Sequence, residues 1–238
     1  MNRPLFSYLH PSLRAPARRI ISRVAPPIVR FLFLRRPVRT TMEGLRLRVT
    51  PGVFHPKLFF TTRILMRHIS QLPLAGKSVL DMGTGSGAIG LTAARFGAHV
   101  IAMDINPEAV SCAEGNAREN GLAFRFTAIE SDLFEALPRG TLFDLILWNP
   151  PFYPKEPANA AEAAWYSGKE YRTIERFALS AASFLRPAGS IILLLSSDID
   201  IPFISRILER EGFGPAACIK VHSLFESFDI LRFEPSTR

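Results

Sequence analysis

The chain has 238 residues, of which 47% are hydrophobic and 21% charged, so we expect a packed core and exclude global disorder. The net charge of +8 is unevenly distributed, because residues 1–42 contain nine arginines, no lysine and no acid. Residues 43–238 therefore carry a net charge of −1. Two cysteines are too few for a disulfide framework, which favours a reducing compartment. No apolar run approaches the roughly 20 residues that span a membrane.

Residues 1–40 are interpreted as a basic arm, because six prolines interrupt any long helix there. Four roles stay open for this arm. Its arginines could contact RNA phosphates, act as a mitochondrial presequence, or anchor the chain at a membrane surface through residues 28–34. The fourth is a solvated tail that packs a few apolar residues on the domain.

Residues 41–75 form a segment that precedes the main domain. Within residues 40–49, Leu45, Leu47 and Val49 alternate with Arg46 and Arg48, which predicts a half-buried strand. Residues 59–69 then have the apolar spacing of an amphipathic helix.

Residues 76–238 alternate between strand and helix patterns and form the main domain. We predict strands at residues 78–81, 100–103, 124–129, 143–148, 190–195, 217–221 and 228–233, and helices at residues 88–96, 107–121, 171–185 and 201–210. This α/β alternation predicts an open, mostly parallel sheet with helices on both faces. Ligands of such sheets bind beyond the carboxyl ends of the strands, where the strand order reverses.

A glycine-rich motif follows the first of these strands, with the sequence Asp81-Met-Gly83-Thr84-Gly85-Ser-Gly87. The glycines allow a tight turn close to a ligand, and the next helix offers free N–H groups. Asp104 ends the following strand, where a carboxylate can accept both hydroxyl hydrogens of a ribose.

These two motifs suit either a nicotinamide dehydrogenase or an S-adenosylmethionine methyltransferase. Asp81 favours the methyltransferase, because a carboxylate attracts an ammonium or sulfonium and repels a pyrophosphate. At the next strand end, Asp132 could accept the adenine amino hydrogens and Leu133 could cover the ring; a plain turn is the alternative there.

The fourth strand is followed by the most specific motif, Asn149-Pro150-Pro151-Phe152. The Asn149 oxygen and the Pro150 carbonyl can accept the two hydrogens of a planar –NH₂ group. They thereby orient a delocalised lone pair for in-line methyl transfer. The prolines preorganise these acceptors, and Phe152 can stack on the flat acceptor. The five histidines are scattered, and no metal-ligand spacing is found.

The order of these motifs resembles the class I methyltransferases that act on planar nitrogens, and most closely the short branch of the HemK/PrmC glutamine methyltransferases. The branch's other segments are matched by Val53-Phe54-His-Pro56, by Asp104-Ile105-Asn106-Pro107, and by Ala164-Trp165-x-x-Gly168 with Arg172 and Arg176. The resemblance covers residues 53–233. It departs from the family at Phe152, where the glutamine enzymes usually have Tyr, at Lys57-Leu58, and at Ser167.

The resemblance implies a Rossmann-like, seven-stranded methyltransferase domain with a short N-terminal extension and S-adenosylmethionine as cofactor. It places Asp81, Gly83, Thr84, Gly85, Gly87, Asp104, Ile105, Asp132, Leu133 and Asn149 at the cofactor, and Phe54, Thr62 and Trp165 at the substrate. The expected acceptor is a glutamine of a release factor or ribosomal protein; an rRNA or tRNA base is the alternative. A non-catalytic module that binds RNA or a partner is the alternative of another class. We expect a monomer in the cytoplasm, or in mitochondria if residues 1–40 are a presequence.

Overall fold

The computed structural model describes residues 36–53, 60–151, 153–158, 162–164, 166–222 and 227–236. Most of the predicted arm, together with Phe54, Phe152 and Trp165, lies outside these ranges.

The described part of the chain begins with a two-stranded antiparallel hairpin, β1 (Val38–Met42) and β2 (Leu45–Val49). The predicted half-buried strand is β2, in which burial alternates as expected, and the sequence analysis missed β1, which pairs with it because the chain reverses at Glu43 and Gly44. Both of these residues have positive φ angles, 44° and 79°. Glycine tolerates this left-handed backbone, and the turn lets β2 fold back on β1. β1 also begins at Val38, within the stretch assigned to the arm.

A seven-stranded sheet follows in the order β5-β4-β3-β6-β7-β9-β8. Its first five strands in the chain are mutually parallel, whereas β9 is antiparallel to both of its neighbours. The strands are β3 (Ser78–Met82), β4 (His99–Asp104), β5 (Phe126–Glu130), β6 (Phe143–Trp148), β7 (Leu185–Ser196), β8 (Phe213–His222) and β9 (Ser227–Pro235). The strand order reverses between β3 and β6, which is where a ligand crevice is expected.

Five helices cover the two faces of this sheet: α1 (Phe60–Ile69), α2 (Ala88–Arg95), α3 (Pro107–Glu119), α4 (Arg172–Ala181) and α5 (Ile201–Arg210). The first three contribute to one buried apolar cluster and the last two to another. Neighbouring residues of β3 point to opposite faces of the sheet, so Val79 packs in the first cluster and Leu80 in the second. This arrangement confirms the predicted α/β sheet with helices on both faces. None of the described helices is long and apolar enough to cross a bilayer.

Several element boundaries differ from the prediction. The third predicted strand starts at Phe126 rather than residue 124, because the backbone first turns through a bond from the Arg125 N–H to the Leu122 carbonyl (2.9 Å). Phe124 is left 73% exposed. The predicted helix 171–185 ends at Ala181, followed by a 3₁₀ turn, and β7 then extends back to Leu185 rather than residue 190.

Candidate active site

The predicted site residues converge at the carboxyl ends of three neighbouring strands. In the register of the sheet, Met82 of β3 is level with Met103 of β4 and with Trp148 of β6. The next residues along these strands are Gly83, Asp104 and Asn149, so strand pairing alone brings the glycine motif, the carboxylate and the amide to one edge.

The glycine motif makes a tight turn over the end of β3. Gly83, Gly85 and Gly87 all have positive φ angles, of 64°, 55° and 83°. At Gly87, a Cβ atom would come within 3.1 Å of the Ala113 side chain, so the start of α2 packs closely against α3 and Ala113 would have to shift to admit a side chain. The predicted turn with close backbone packing is therefore observed.

Asp104 holds this turn from the neighbouring strand. One carboxylate oxygen accepts the Gly85 N–H at 2.8 Å, and the other accepts the Asn106 N–H at 3.0 Å. Burial raises the pKa of Asp104, and the backbone donors of Asn106, Gly85 and Ile105 partly offset this effect. A carboxylate offers about four lone-pair positions, so two acceptor positions stay open for a ribose diol. Ile105, 43% exposed beside it, presents an apolar surface.

Asp81 lies beneath the turn rather than at its open side. Its side chain is 0% exposed, and one oxygen accepts the Thr84 hydroxyl at 2.6 Å and the Gly90 N–H at 2.9 Å. The other oxygen has no hydrogen-bond partner within the described chain. The carboxyl group thus ties Thr84, itself 5% exposed, to the first turn of α2. Its predicted place at the cofactor and its electrostatic effect on a bound cation stay predictions.

Burial raises the pKa of Asp81 from 3.8 to about 7; the bonds from Thr84 and Gly90 lower it, and the Asp104 charge raises it. The folded protein therefore holds a proton that the unfolded chain has released between about pH 4 and pH 7. The free energy of unfolding should fall across this window as pH rises, by up to about 1.4 kcal/mol per pH unit. Asp81→Asn keeps an oxygen acceptor and should flatten this fall. Urea unfolding of both proteins across the window measures it, and equal slopes would contradict the assignment.

Asn149 follows β6 directly and carries an unsatisfied acceptor. Its side-chain oxygen is buried and has no hydrogen-bond partner among the described residues. A buried polar atom without a partner costs about 1–3 kcal/mol, which a ligand that donates a hydrogen bond would recover. Trp148 before it is 2% exposed and packs on Phe177 of α4 with the rings tilted by 34° and their centroids 4.3 Å apart, so the base of the motif is fixed. Pro150 is buried and Pro151 partly buried; Phe152 lies outside the described residues.

The predicted residues Asp132 and Leu133 follow β5 at the same edge of the sheet, because Glu130 of β5 is level with Asp104 of β4. Asp132 pairs with Arg176 through both of its oxygens, at 3.2 and 3.0 Å, so an adenine amino group would share them with a guanidinium. Leu133 is half-buried with a φ of 52°, a strained backbone for leucine that is held by a bond from the Ser131 hydroxyl to the Leu133 carbonyl.

Thr62, one of the residues expected at the substrate, is 4% exposed in the first turn of α1. Phe54 and Trp165 lie outside the described residues, and their predicted roles stay predictions.

Asn116 is a positioning residue that the sequence analysis missed. It is 1% exposed on α3, and its amide nitrogen donates to the Ser86 carbonyl of the glycine turn at 2.8 Å. The same side chain binds the Arg48 N–H at 2.8 Å and the Arg48 carbonyl at 3.1 Å. Asn120, one helical turn later, binds the Arg46 N–H and carbonyl of β2 in the same way. The spacing of two asparagines four residues apart was the available signal.

Asn116→Ala should raise the dissociation constant of S-adenosylmethionine about tenfold, because one loop contact of about 1.4 kcal/mol is lost. Asn120→Ala is the matched control, since it loses two equivalent contacts to β2, with the Arg46 N–H and carbonyl, but none to the turn. It should change cofactor affinity by less than about twofold. Calorimetric titration of both variants measures this, and equal losses of affinity would show that Asn116 acts only through the hairpin.

The site residues fit S-adenosylmethionine on the structural evidence. The cofactor's ribose needs an acceptor, which Asp104 offers, and its adenine needs apolar cover, which Ile105 offers. The turn at Gly83 provides close backbone approach. Among the described residues no cluster of three or more His, Cys, Asp or Glu side chains could hold a metal.

The chain matches the model of the methyltransferase small domain over residues 44–225. It is 33% identical over 162 residues to a candidate protein N5-glutamine methyltransferase of Methanocaldococcus jannaschii, covering 66% of this chain and 78% of that protein. It is 35% identical over 168 residues to the release factor glutamine methyltransferase of Moorella thermoacetica, covering 65% of this chain and 58% of that protein.

Among solved structures, the chain resembles the 16S rRNA N2 G1207 methyltransferase of T. thermophilus in complex with AdoMet and guanosine. The TM-score is 0.64 at 25% identity, over 85% of this chain and 50% of that one. These comparisons confirm the predicted family, fold, enzyme class and cofactor. The chain therefore belongs to the methyltransferase small domain family and is an S-adenosylmethionine-dependent methyltransferase.

Proposed function

We propose that this methyltransferase modifies the side-chain amide nitrogen of a glutamine in a protein of the translation machinery, a release factor or a ribosomal protein. The observation that carries the proposal is the buried, unpartnered Asn149 oxygen at the end of β6. A donor of two hydrogens on one planar nitrogen would satisfy it together with the Pro150 carbonyl. The named activities of the M. jannaschii and Moorella relatives support this acceptor.

The residues of the chain act on the acceptor nitrogen by binding and orientation. An amide nitrogen is a poor nucleophile, because its lone pair is delocalised into the carbonyl group. Two acceptors that hold its hydrogens fix the nitrogen in place and favour the lone-pair density that attacks. S-adenosylmethionine, when bound, supplies an electrophilic methyl group on a sulfonium. The nitrogen gains that methyl group and loses one proton, so the product is a secondary amide.

A second acceptor class is the exocyclic amine of an RNA base, which is also a planar nitrogen with two hydrogens. The similarity to the rRNA enzyme of T. thermophilus favours it. The described domain itself carries little excess charge, since residues 43–238 sum to −1. This balance gives no general attraction to nucleic acid, and we therefore place the protein acceptor first.

One experiment compares the two acceptors directly. A peptide that contains Gly-Gly-Gln and a preparation of ribosomal RNA are incubated separately with the full chain and methyl-labelled S-adenosylmethionine. We expect label in the peptide and none when its glutamine is replaced by glutamate, which lacks the –NH₂ group. Label that enters only the RNA would overturn the glutamine proposal, and label in neither would point to a different protein acceptor or to the non-catalytic alternative.

The expected monomeric state and cytoplasmic location belong to the same proposal. Light scattering checks the monomeric state.

A further inference from the structure

The outward side of the β1–β2 hairpin carries arginines on adjacent strands. Arg39 and Arg48 are directly opposite each other in the pairing register, and Thr41 is opposite Arg46. Arg39, Arg46 and Arg48 are exposed, whereas the alternate residues of β2 are buried against the domain. We call Arg39, Arg46 and Arg48 the arginine face.

This arrangement is electrostatically unfavourable on its own, because like charges directly opposite on neighbouring strands repel. No carboxylate of the described residues lies within 4.0 Å of these three guanidinium groups in an ion pair. The hairpin's one acid, Glu43, sits in the turn and pairs instead with Arg63 and Arg67, at 3.4 and 3.1 Å. The positive charge of the arginine face is therefore not neutralised by any carboxylate of the described residues.

The backbone beneath the arginine face is held rigidly. The N–H and carbonyl groups of Arg46 bond to Asn120, the C-cap of α3, and those of Arg48 bond to Asn116 within α3, at distances between 2.7 and 3.1 Å. The Arg46 guanidinium also donates to the Glu119 carbonyl at 2.8 Å. Because the strand is ordered before any ligand arrives, a ligand would meet charges whose backbone positions are already fixed.

The strand β2, which carries Arg46 and Arg48, also runs toward the active site. β2 runs antiparallel to α3, since Arg46 meets Asn120 near the helix end and Gly52 meets Asn106 at its start. The Asn106 amide donates to the Gly52 carbonyl at 3.3 Å. Asn106 is two residues beyond Asp104, at the edge of the sheet that holds the site.

We propose that the arginine face is a docking surface for the phosphate backbone of RNA, beside the acceptor site and not part of it. Guanidinium groups match phosphates in geometry and charge. The outward positions of the hairpin's paired strands hold arginine and threonine but no large apolar side chain, which disfavours insertion into a membrane surface. The charge continues before β1, where residues 1–36 contain eight arginines and no acid. Such docking would suit an acceptor protein on the ribosome, and it does not depend on which nitrogen is methylated.

The test measures how binding of a fluorescent single-stranded RNA by the full chain depends on salt. Each phosphate contact to a single strand contributes about 0.7 to the slope of log affinity against log salt. The double variant Arg39→Gln/Arg48→Gln should therefore lower the magnitude of the slope by about 1.4 and weaken binding at low salt more than tenfold. Arg139→Gln/Arg186→Gln is the control, because it removes the same charge from exposed positions at the opposite, amino-terminal edge of the sheet. It should change the slope by less than about 0.3.

An unchanged slope in the first double variant, or equal changes in both, would overturn the proposal, because binding would then follow the arm or total charge. Vesicles containing phosphatidylserine form a second arm of the test. Vesicle binding that is lost in the first double variant while RNA binding persists would assign the arginine face to a membrane and likewise overturn it. Thermal unfolding checks that both double variants fold; Arg48→Gln alone, with an expected slope change of about 0.7, replaces the double variant if it does not.

Discussion

Asn149→Ala is expected to lower kcat at least about a hundredfold while the dissociation constant of S-adenosylmethionine stays within about twofold. Removing one preorganised hydrogen-bonding group from a reacting centre costs about 2.7–4 kcal/mol of transition-state stabilisation. The Asn149 oxygen is buried and has no partner in the described chain, so losing this oxygen leaves no described donor unsatisfied, and we expect the fold to stay stable. Single-turnover transfer measured beside calorimetric cofactor titration separates the two effects.

Asn149→Gln is the matched variant for this experiment. It keeps the amide but moves the oxygen by one methylene, so it should lose nearly as much activity as Asn149→Ala if position matters more than polarity. Full activity in Asn149→Ala would show that the acceptor is held elsewhere. A loss explained wholly by weaker cofactor binding would place Asn149 at the cofactor alone.

Asp104→Ala should have the opposite effect to Asn149→Ala. We expect cofactor affinity to fall about a hundredfold, while kcat at saturating cofactor is largely kept. The carboxylate accepts the Gly85 N–H at 2.8 Å and the Asn106 N–H at 3.0 Å, so its removal frees the glycine turn as well as the expected ribose acceptor. The two hydrogen bonds that the carboxylate is expected to accept from the ribose hydroxyls are charge-assisted and together contribute about 3 kcal/mol. This energy corresponds to the expected hundredfold change in cofactor affinity.

Asp104→Asn separates the turn from the ribose. One amide oxygen can keep the Gly85 bond but cannot accept two hydroxyl hydrogens, so an intermediate loss of about tenfold is expected. Calorimetric titration of both variants measures this order. Asp104→Ala with unchanged affinity but low kcat would contradict the assignment, since Asp104 would then act on the transfer step.

The sequence was most informative where local pattern and strand order decide the structure. The alternation of strands and helices predicted the sheet, and the placement of polar residues at strand ends predicted that Gly83, Asp104 and Asn149 would meet. Parallel strands bring their carboxyl ends to one edge whatever the details of packing, so this inference needed no long-range contact. The proline at the start of α3 and the asparagine before it also indicated that helix correctly.

Contacts between distant residues could not be predicted in this way. The bond between Asn116 and Arg48 joins positions 68 residues apart, and the spacing of Asn116 and Asn120 marks one helix face without identifying the strand that it binds. Asp81 was interpreted as a residue beside the ligand because it precedes the glycines. Its side chain instead points under the turn toward Gly90, a direction set by the register of β3 and by helix packing. The sequence predicted β2 but not β1 or the turn between them, because Glu43 is a non-glycine residue with positive φ, which propensity does not anticipate.

The central claim is that the acceptor is a planar nitrogen held by Asn149 and Pro150. Its most direct test is to locate the transferred methyl group by NMR of a product made with ¹³C-methyl S-adenosylmethionine and the Gly-Gly-Gln peptide or RNA. We predict that the labelled carbon is bonded to a side-chain amide nitrogen of glutamine, and that Asn149→Ala forms none of this product. A methyl group on carbon, on oxygen or on the tetrahedral amine nitrogen of a lysine would contradict the account.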